Sequence, residues 1–232
     1  RARFPEDDNC TFVQAAPRGG AALWRVRFLH SRRASLSFFI RASLSVFTRI
    51  QTLTKGATSM IETVPQYMQR ILGYAEGQQP LKIQGTSAKK LERLLKGIPA
   101  AKLRKRPAPD KWSVAEIMAH LADSEIVTGF RLRQILGTPG THIPAYDQDA
   151  WAKSGRYDKR DARKSLETFR VLREANLALL KSLTSEQWKH HGMHSERGAE
   201  TIERLVTLIA GHDLNHTKQI ERIVAPAKQR GK

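Results

Sequence analysis

Three histidines carry the residue types and spacing most able to do chemistry: His120 in KWSVAEIMAHLADSE, and His212 and His216 in LIAGHDLNHTKQIE. Residues four apart on a helix stack one turn above the other, so His212 and His216 present two imidazoles on one face. That face is the apolar one, because Ile202, Leu205, Ile209, His212, His216 and Ile223 recur at steps of three, four or seven residues. His120 repeats the pattern, with Ile117 three residues before it and Val127 seven after. Three inward imidazoles from two helices supply the neutral nitrogen ligands of one divalent ion, zinc or nickel, and leave a further position for water or substrate.

A histidine on an apolar stripe also serves as a packed, hydrogen-bonded core residue, and the HxxxH spacing alone does not separate the two roles. The other histidines give the contrast. His30 lies in an atypical N-terminal stretch, His142 in a Pro/Gly loop, and His190, His191 and His194 crowd a loop; these five read as loop or solvent-side residues, with an approach of the 190–194 cluster to the metal site left open. Asp213 follows His212 where a zincin protease would carry its general-base Glu, so HExxH chemistry is absent. A three-His ion acidifies a bound water or a bound thiol, and spacing does not choose between them.

Further polar residues sit where they can orient an imidazole or meet a substrate. Glu116 is one turn before His120 and Asp123 just under one turn after it, although Glu116 also completes a capping box with Ser113. Arg131 continues the His120 stripe and is placed to meet a substrate carboxylate or to snorkel to the helix end. Asn176 interrupts an apolar stripe, where a buried amide needs partners. Asp147, Asp149 and Trp151 occupy a long loop that either closes over the pocket or packs it.

These side chains depend on helices. VPQYMQRILGYA forms a first helical segment, and TSAKKLERLLKG a short amphipathic helix closed by Gly97. Pro107 and Pro109 forbid helix in the following loop, and the Ser113/Glu116 capping box starts a long helix running to about Gly137. A third helix spans about Asp161 to Leu183, with Leu166, Phe169, Leu172, Asn176, Leu179 and Leu183 on one face, and a fourth spans about 199–225 before Pro226. No strand alternation of useful length appears. The expected class is all-α, a four-helix bundle with its site on facing helices.

Charge and composition change near residue 60. The chain of 232 residues carries +18 overall. Residues 1–59 hold ten Lys/Arg, nine of them Arg, against Glu6, Asp7 and Asp8, and the first Met is Met60. We therefore expect 60–232 to be the bundle domain, with its core at 62–225. Residues 1–59 read as an extension: a transit-like amphipathic helix, a basic arm or, preferred, upstream sequence from a start site set too early. Arg33, Arg41 and Arg49 break its apolar runs short of a transmembrane span. Cys10 is the sole cysteine, which removes disulfide frameworks and thiolate ligand sets and makes a cytoplasmic setting the default. The basic stretch Lys102, Arg104, Lys105, Arg106 and Lys111 lacks interleaved aromatics and a recognition-helix motif, which argues against nucleic acid as a partner. A non-catalytic, metal-stabilised bundle is the remaining rival, and homodimerisation is left open.

Together KWSxxEIxxHLxDxE, YDQDAW at 146–151, FRVLREANLALLKSL and GHDLNHxxQIE, in this order, resemble the DinB-like superfamily over nearly all of 62–225. That group of metal-binding four-helix proteins includes bacillithiol S-transferases and thiol-dependent isomerases. The resemblance implies that His120, His212 and His216 bind one divalent metal. It further implies a transferase that activates a low-molecular-weight thiol toward a small electrophile, with metal-dependent hydrolysis as the alternative.

Overall fold

The computed structural model describes residues 63–225, so the expectations about residues 1–59 fall outside it. Its helices are α1 (Val64–Ala75), α2 (Pro80–Leu95), α3 (Ala100–Arg104), α4 (Val114–Gly137), α5 (Gln148–Ser154), α6 (Ala162–Lys181), α7 (Ser185–Lys189) and α8 (Ile202–Val224). Local chemistry sets the starts of the long ones. Ser113 and Glu116 form the expected capping box on α4, while Asp161 caps α6 by accepting from Arg163 N and Lys164 N. Thr201 caps α8 through Arg204 N. Helix α2 begins six residues earlier than its amphipathic pattern suggests, because Pro80 sits in the first turn, where its missing N–H costs nothing.

Four long helices build the bundle. Helix α4 packs on α6, α6 on α2, α2 on α8 and α8 back on α4, while α1 lies against α8. One end of the core gathers Leu91, Leu95, Ile117, Met118, Leu121, Phe169 and Ile220. The other end gathers Leu132, Ile135, Leu180, Ile202 and Leu205. Between them the same helices turn polar groups inward, among them Ser87, Glu125, Arg173, Asn176 and Asp213. The bundle thus has apolar ends and a polar middle. Among the described residues no helix is long and apolar enough to cross a membrane.

The sequence reading contains no strands, and here the structure differs. Strands β1 (His142–Ile143), β2 (His191–His194) and β3 (Gly198–Thr201) form a small sheet in the order β1-β2-β3, with β1 parallel and β3 antiparallel to β2. Residues 199–201, expected in the last helix, belong to β3. The inward residues of the hairpin are Gly192, His194 and Glu200, so its alternation is not hydrophobic and hydropathy cannot reveal it. The loop over 138–157 likewise contains a short helix, α5, started by Asp147.

Helix α1 reaches α8 only because Gly211 has no side chain: a Cβ there would overlap the Ile71 carbonyl oxygen. Backbone offers no rotamer escape, so Gly211→Ala is expected to destabilise the fold by about 1–3 kcal/mol. Urea unfolding monitored by helical circular dichroism checks this, and an unchanged midpoint would refute the close approach.

Candidate metal centre

The structure brings His120 of α4 to His212 and His216 of α8. Their candidate ligand nitrogens all lie within 4.8 Å of one another, and no carboxylate or thiol among the described residues joins the group. His120 Nε2 stands 3.0 Å from His212 Nε2, and the ring centroids are 4.5–5.1 Å apart. Zinc–nitrogen bonds of about 2.0–2.1 Å in a tetrahedral set place ligand nitrogens about 3.3 Å apart, so the observed spacing fits one shared ion. His216 Nδ1 lies 2.9 Å from Gln219 Oε1. An amide oxygen only accepts, so Nδ1 carries the hydrogen and Nε2 keeps its lone pair for the cluster.

All three rings are held neutral. Burial first, and His216 second, bring the His120 pKa down to about 3. Burial also takes His212 well below the usual imidazole range, aided by His216, His120 and Arg173. His216 falls to about 4 through burial, with Gln219 and Asp213 opposing. Neutral imidazoles are the form that binds metal. A cavity of about 410 Å³ opens on His120 and His212, walled by Val127, Leu208 and Ile209, with Ser124, Tyr146 and Arg131 as polar lining.

The other expected site residues are placed less uniformly. Glu116 accepts from Ser113 N and Oγ at 2.8 Å each and pairs with Arg106, so it acts as a helix cap and makes no bond to His120. Burial pushes its carboxyl up, but Arg106 and Ser113 pull it below the ordinary value. Asp123 accepts from Tyr157 Oη at 2.8 Å and Arg160 Nη1 at 2.7 Å, tying α4 to the segment after α5 and away from the imidazoles. Asp147 accepts from Asp149 N and Ala150 N as the cap of α5, and Asp149 is exposed in its first turn; neither bonds to a ring. Trp151 packs against Tyr146 with the rings tilted by 46° and their centroids 4.8 Å apart. Arg131 does line the cavity. His194, read as a loop residue, is instead 3% exposed and inward on β2, and His142 lies in β1.

Asn176 belongs to a buried network beside the cluster that sequence reasoning missed apart from that one residue. Arg173, 2% exposed, donates to Asp213 Oδ2 at 2.5 Å and Oδ1 at 3.0 Å, and to Glu125 Oε1 at 2.8 Å. Ser87 Oγ adds a bond to Asp213 at 2.7 Å, and Asn176 Nδ2 one to Glu125 Oε2 at 3.1 Å. Burial pulls the Arg173 pKa down, but Asp213 and Glu125 outweigh it and hold the net shift upward. The residues missed also include Gln219, one turn after His216, and Trp112, whose ring is 5.1 Å from that of His120. The i,i+3 spacing of His216 and Gln219 was the available signal for the first.

Depressed folded-state pKa values make stability depend on pH with a definite sign. In the unfolded chain these histidines take protons below about 6.5, while in the fold they stay neutral down to about 3–4. Their contribution is full above 6.5 and is lost as pH falls toward 4. Metal-free protein is therefore expected to lose unfolding free energy steadily between pH 7 and 4.5, and His120→Gln to flatten that slope. Urea titrations at several pH values check it; a flat profile for the wild type would contradict the buried neutral rings.

Known proteins resemble this chain in sequence and in fold. The chain is 25% identical over 143 residues to BH0277 of Halalkalibacterium halodurans, covering 62% of this chain and 83% of that protein. It is 28% identical over 113 residues to YfiT of Bacillus subtilis, covering 48% and 64%. Both are named as candidate metal-dependent hydrolases. The solved structure of YfiT, described as a four-helix bundle of unusual topology, superposes with a TM-score of 0.57 at 22% identity over 73% of this chain and 92% of that one. The DinB superfamily model matches residues 86–220, more than half of the sequence and inclusive of all three histidines. This chain belongs to the DinB superfamily.

Proposed function

We propose that His120, His212 and His216 hold one divalent cation, zinc or nickel, and that the protein is a metal-dependent enzyme joining a low-molecular-weight thiol to a small electrophile in the adjoining cavity. The observation that carries this is a group of three neutral nitrogen donors, opening on a cavity, with no carboxylate among them. When bound, such a cation lowers the pKa of a thiol or water at its remaining position. A thiol, with an ordinary pKa near 8.5, needs far less help than water at 15.7, so a site without a proton-accepting carboxylate beside its imidazoles suits it better.

The residues have defined parts. The three imidazoles stay neutral and keep their lone pairs inward, and Gln219 fixes the His216 ring. The apolar wall of Val127, Leu208 and Ile209 limits water around the reacting atoms. In the reaction the sulfur–hydrogen bond breaks and its proton passes to solvent. A sulfur–carbon bond forms as the electrophile's leaving group departs with its electron pair.

Hydrolysis is the second reading, favoured by the names that BH0277 and YfiT carry. The test is turnover of a chloronitroaromatic reporter by metal-loaded protein with a panel of small cellular thiols, beside turnover of activated esters with none. Thiol-dependent conjugation is expected, and His120→Ala should lower it at least about 100-fold while helicity persists. Thiol-independent ester cleavage would select hydrolysis, and inertness to both would refute an enzymatic role.

A further inference from the structure

Arg131 lies on the same face of α4 as His120, eleven residues later, a rise of about 16 Å over three turns. Its side chain leans back toward the helix N-terminus, and so toward the histidines. The residue is 8% exposed and lines the cavity that opens on His120 and His212. A guanidinium remains charged at any physiological pH and needs an anion when desolvated.

That need is not met among the described residues. Arg131 Nη2 donates to the Pro144 carbonyl at 2.8 Å, and the Tyr146 ring lies 5.8 Å from the guanidinium carbon. The contact with His194 Nε2 at 3.4 Å adds nothing. His194 Nδ1 accepts from Glu196 N–H at 3.2 Å, so the neutral ring bears its hydrogen on Nε2, and donor faces donor. Among the described residues no carboxylate forms an ion pair with Arg131. Arg197 beside it is already neutralised by fully buried Glu200, with bonds of 3.0 and 2.7 Å. Arg131 is therefore a cavity-lining cation that no carboxylate among the described residues bonds, and Glu196 at the same lining disfavours a dianion.

We propose that Arg131 receives a carboxylate of the substrate, and that the substrates are elongated small molecules carrying this single negative charge at the end remote from the reacting group. The planar guanidinium fork matches a carboxylate in two parallel bonds. The inference rests on the reading of the cavity as the substrate site. The apolar wall between Arg131 and the histidines accommodates the intervening carbon chain.

Calorimetric titration of the full-length, metal-loaded protein with hexanoate and with hexanamide tests it. Hexanoate is expected to bind at least tenfold more tightly, with Arg131→Met bringing the two within twofold and Arg131→Lys retaining part of the difference. Hexyl phosphate should bind more weakly than hexanoate. Equal binding of acid and amide by the wild type, tighter binding of the phosphate, or a preference that survives Arg131→Met because the metal takes the carboxylate would each overturn the proposal. In the wild type, hexanoate but not hexanamide should shift the Arg131 Nε–H nuclear magnetic resonance signal, and an unmoved signal would likewise overturn it. The preference should persist with no metal added, so failure of the enzymatic reading, seen in turnover, leaves this result separately readable.

Discussion

The guanidinium of Arg173 holds the polar middle of the bundle together. It joins α6 to Asp213 on α8 and to Glu125 on α4, with its own residue and both partners almost fully buried. Desolvating one cation and two carboxylates is expensive, and the arrangement persists only because nearly every group is bonded: Ser87 and Asn176 take further lone pairs of the carboxylates. Such a layer contributes little net stability over an apolar one, but breaking it by removing one partner leaves buried charge unpaired. Its effect is to fix the rotation of α8 within the bundle.

That rotation decides where the imidazoles point. Asp213 faces Arg173 and Ser87, and its neighbour His212, about 100° around the helix, must then face α4. His216 follows one turn later on the same side and His120 meets both from α4. The close approach of α1 at Gly211 braces α8 on its other side, and α1 contributes Val64 and Tyr67 to the cavity wall. Structural polar layer and candidate reactive face are thus adjacent stripes of one helix, separated by one residue.

Much of this was legible in the sequence. The histidine spacing, the apolar stripes and the capping residues Ser113, Glu116 and Asp161 correctly gave the bundle, and the three histidines do converge. Other readings depended on distances along different helices, which one-dimensional periodicity does not contain. Glu116 and Asp123, one turn from His120, are taken by Arg106, Tyr157 and Arg160, partners supplied by other segments. Arg173 shares its helix with exposed arginines such as Arg170, and only the fold distinguishes a buried guanidinium from a solvated one. The sheet escaped because glycine, histidine and glutamate fill its inward positions.

The central claim is that three imidazoles on two helices hold a single metal ion. Elemental analysis of the purified protein beside His212→Ala and His216→Ala, each checked for helical content, tests it most directly. The account predicts close to one zinc or nickel per wild-type chain and strong depletion in both folded variants. Undiminished metal in the variants, or a wild type that binds none when supplied with either ion, would contradict it.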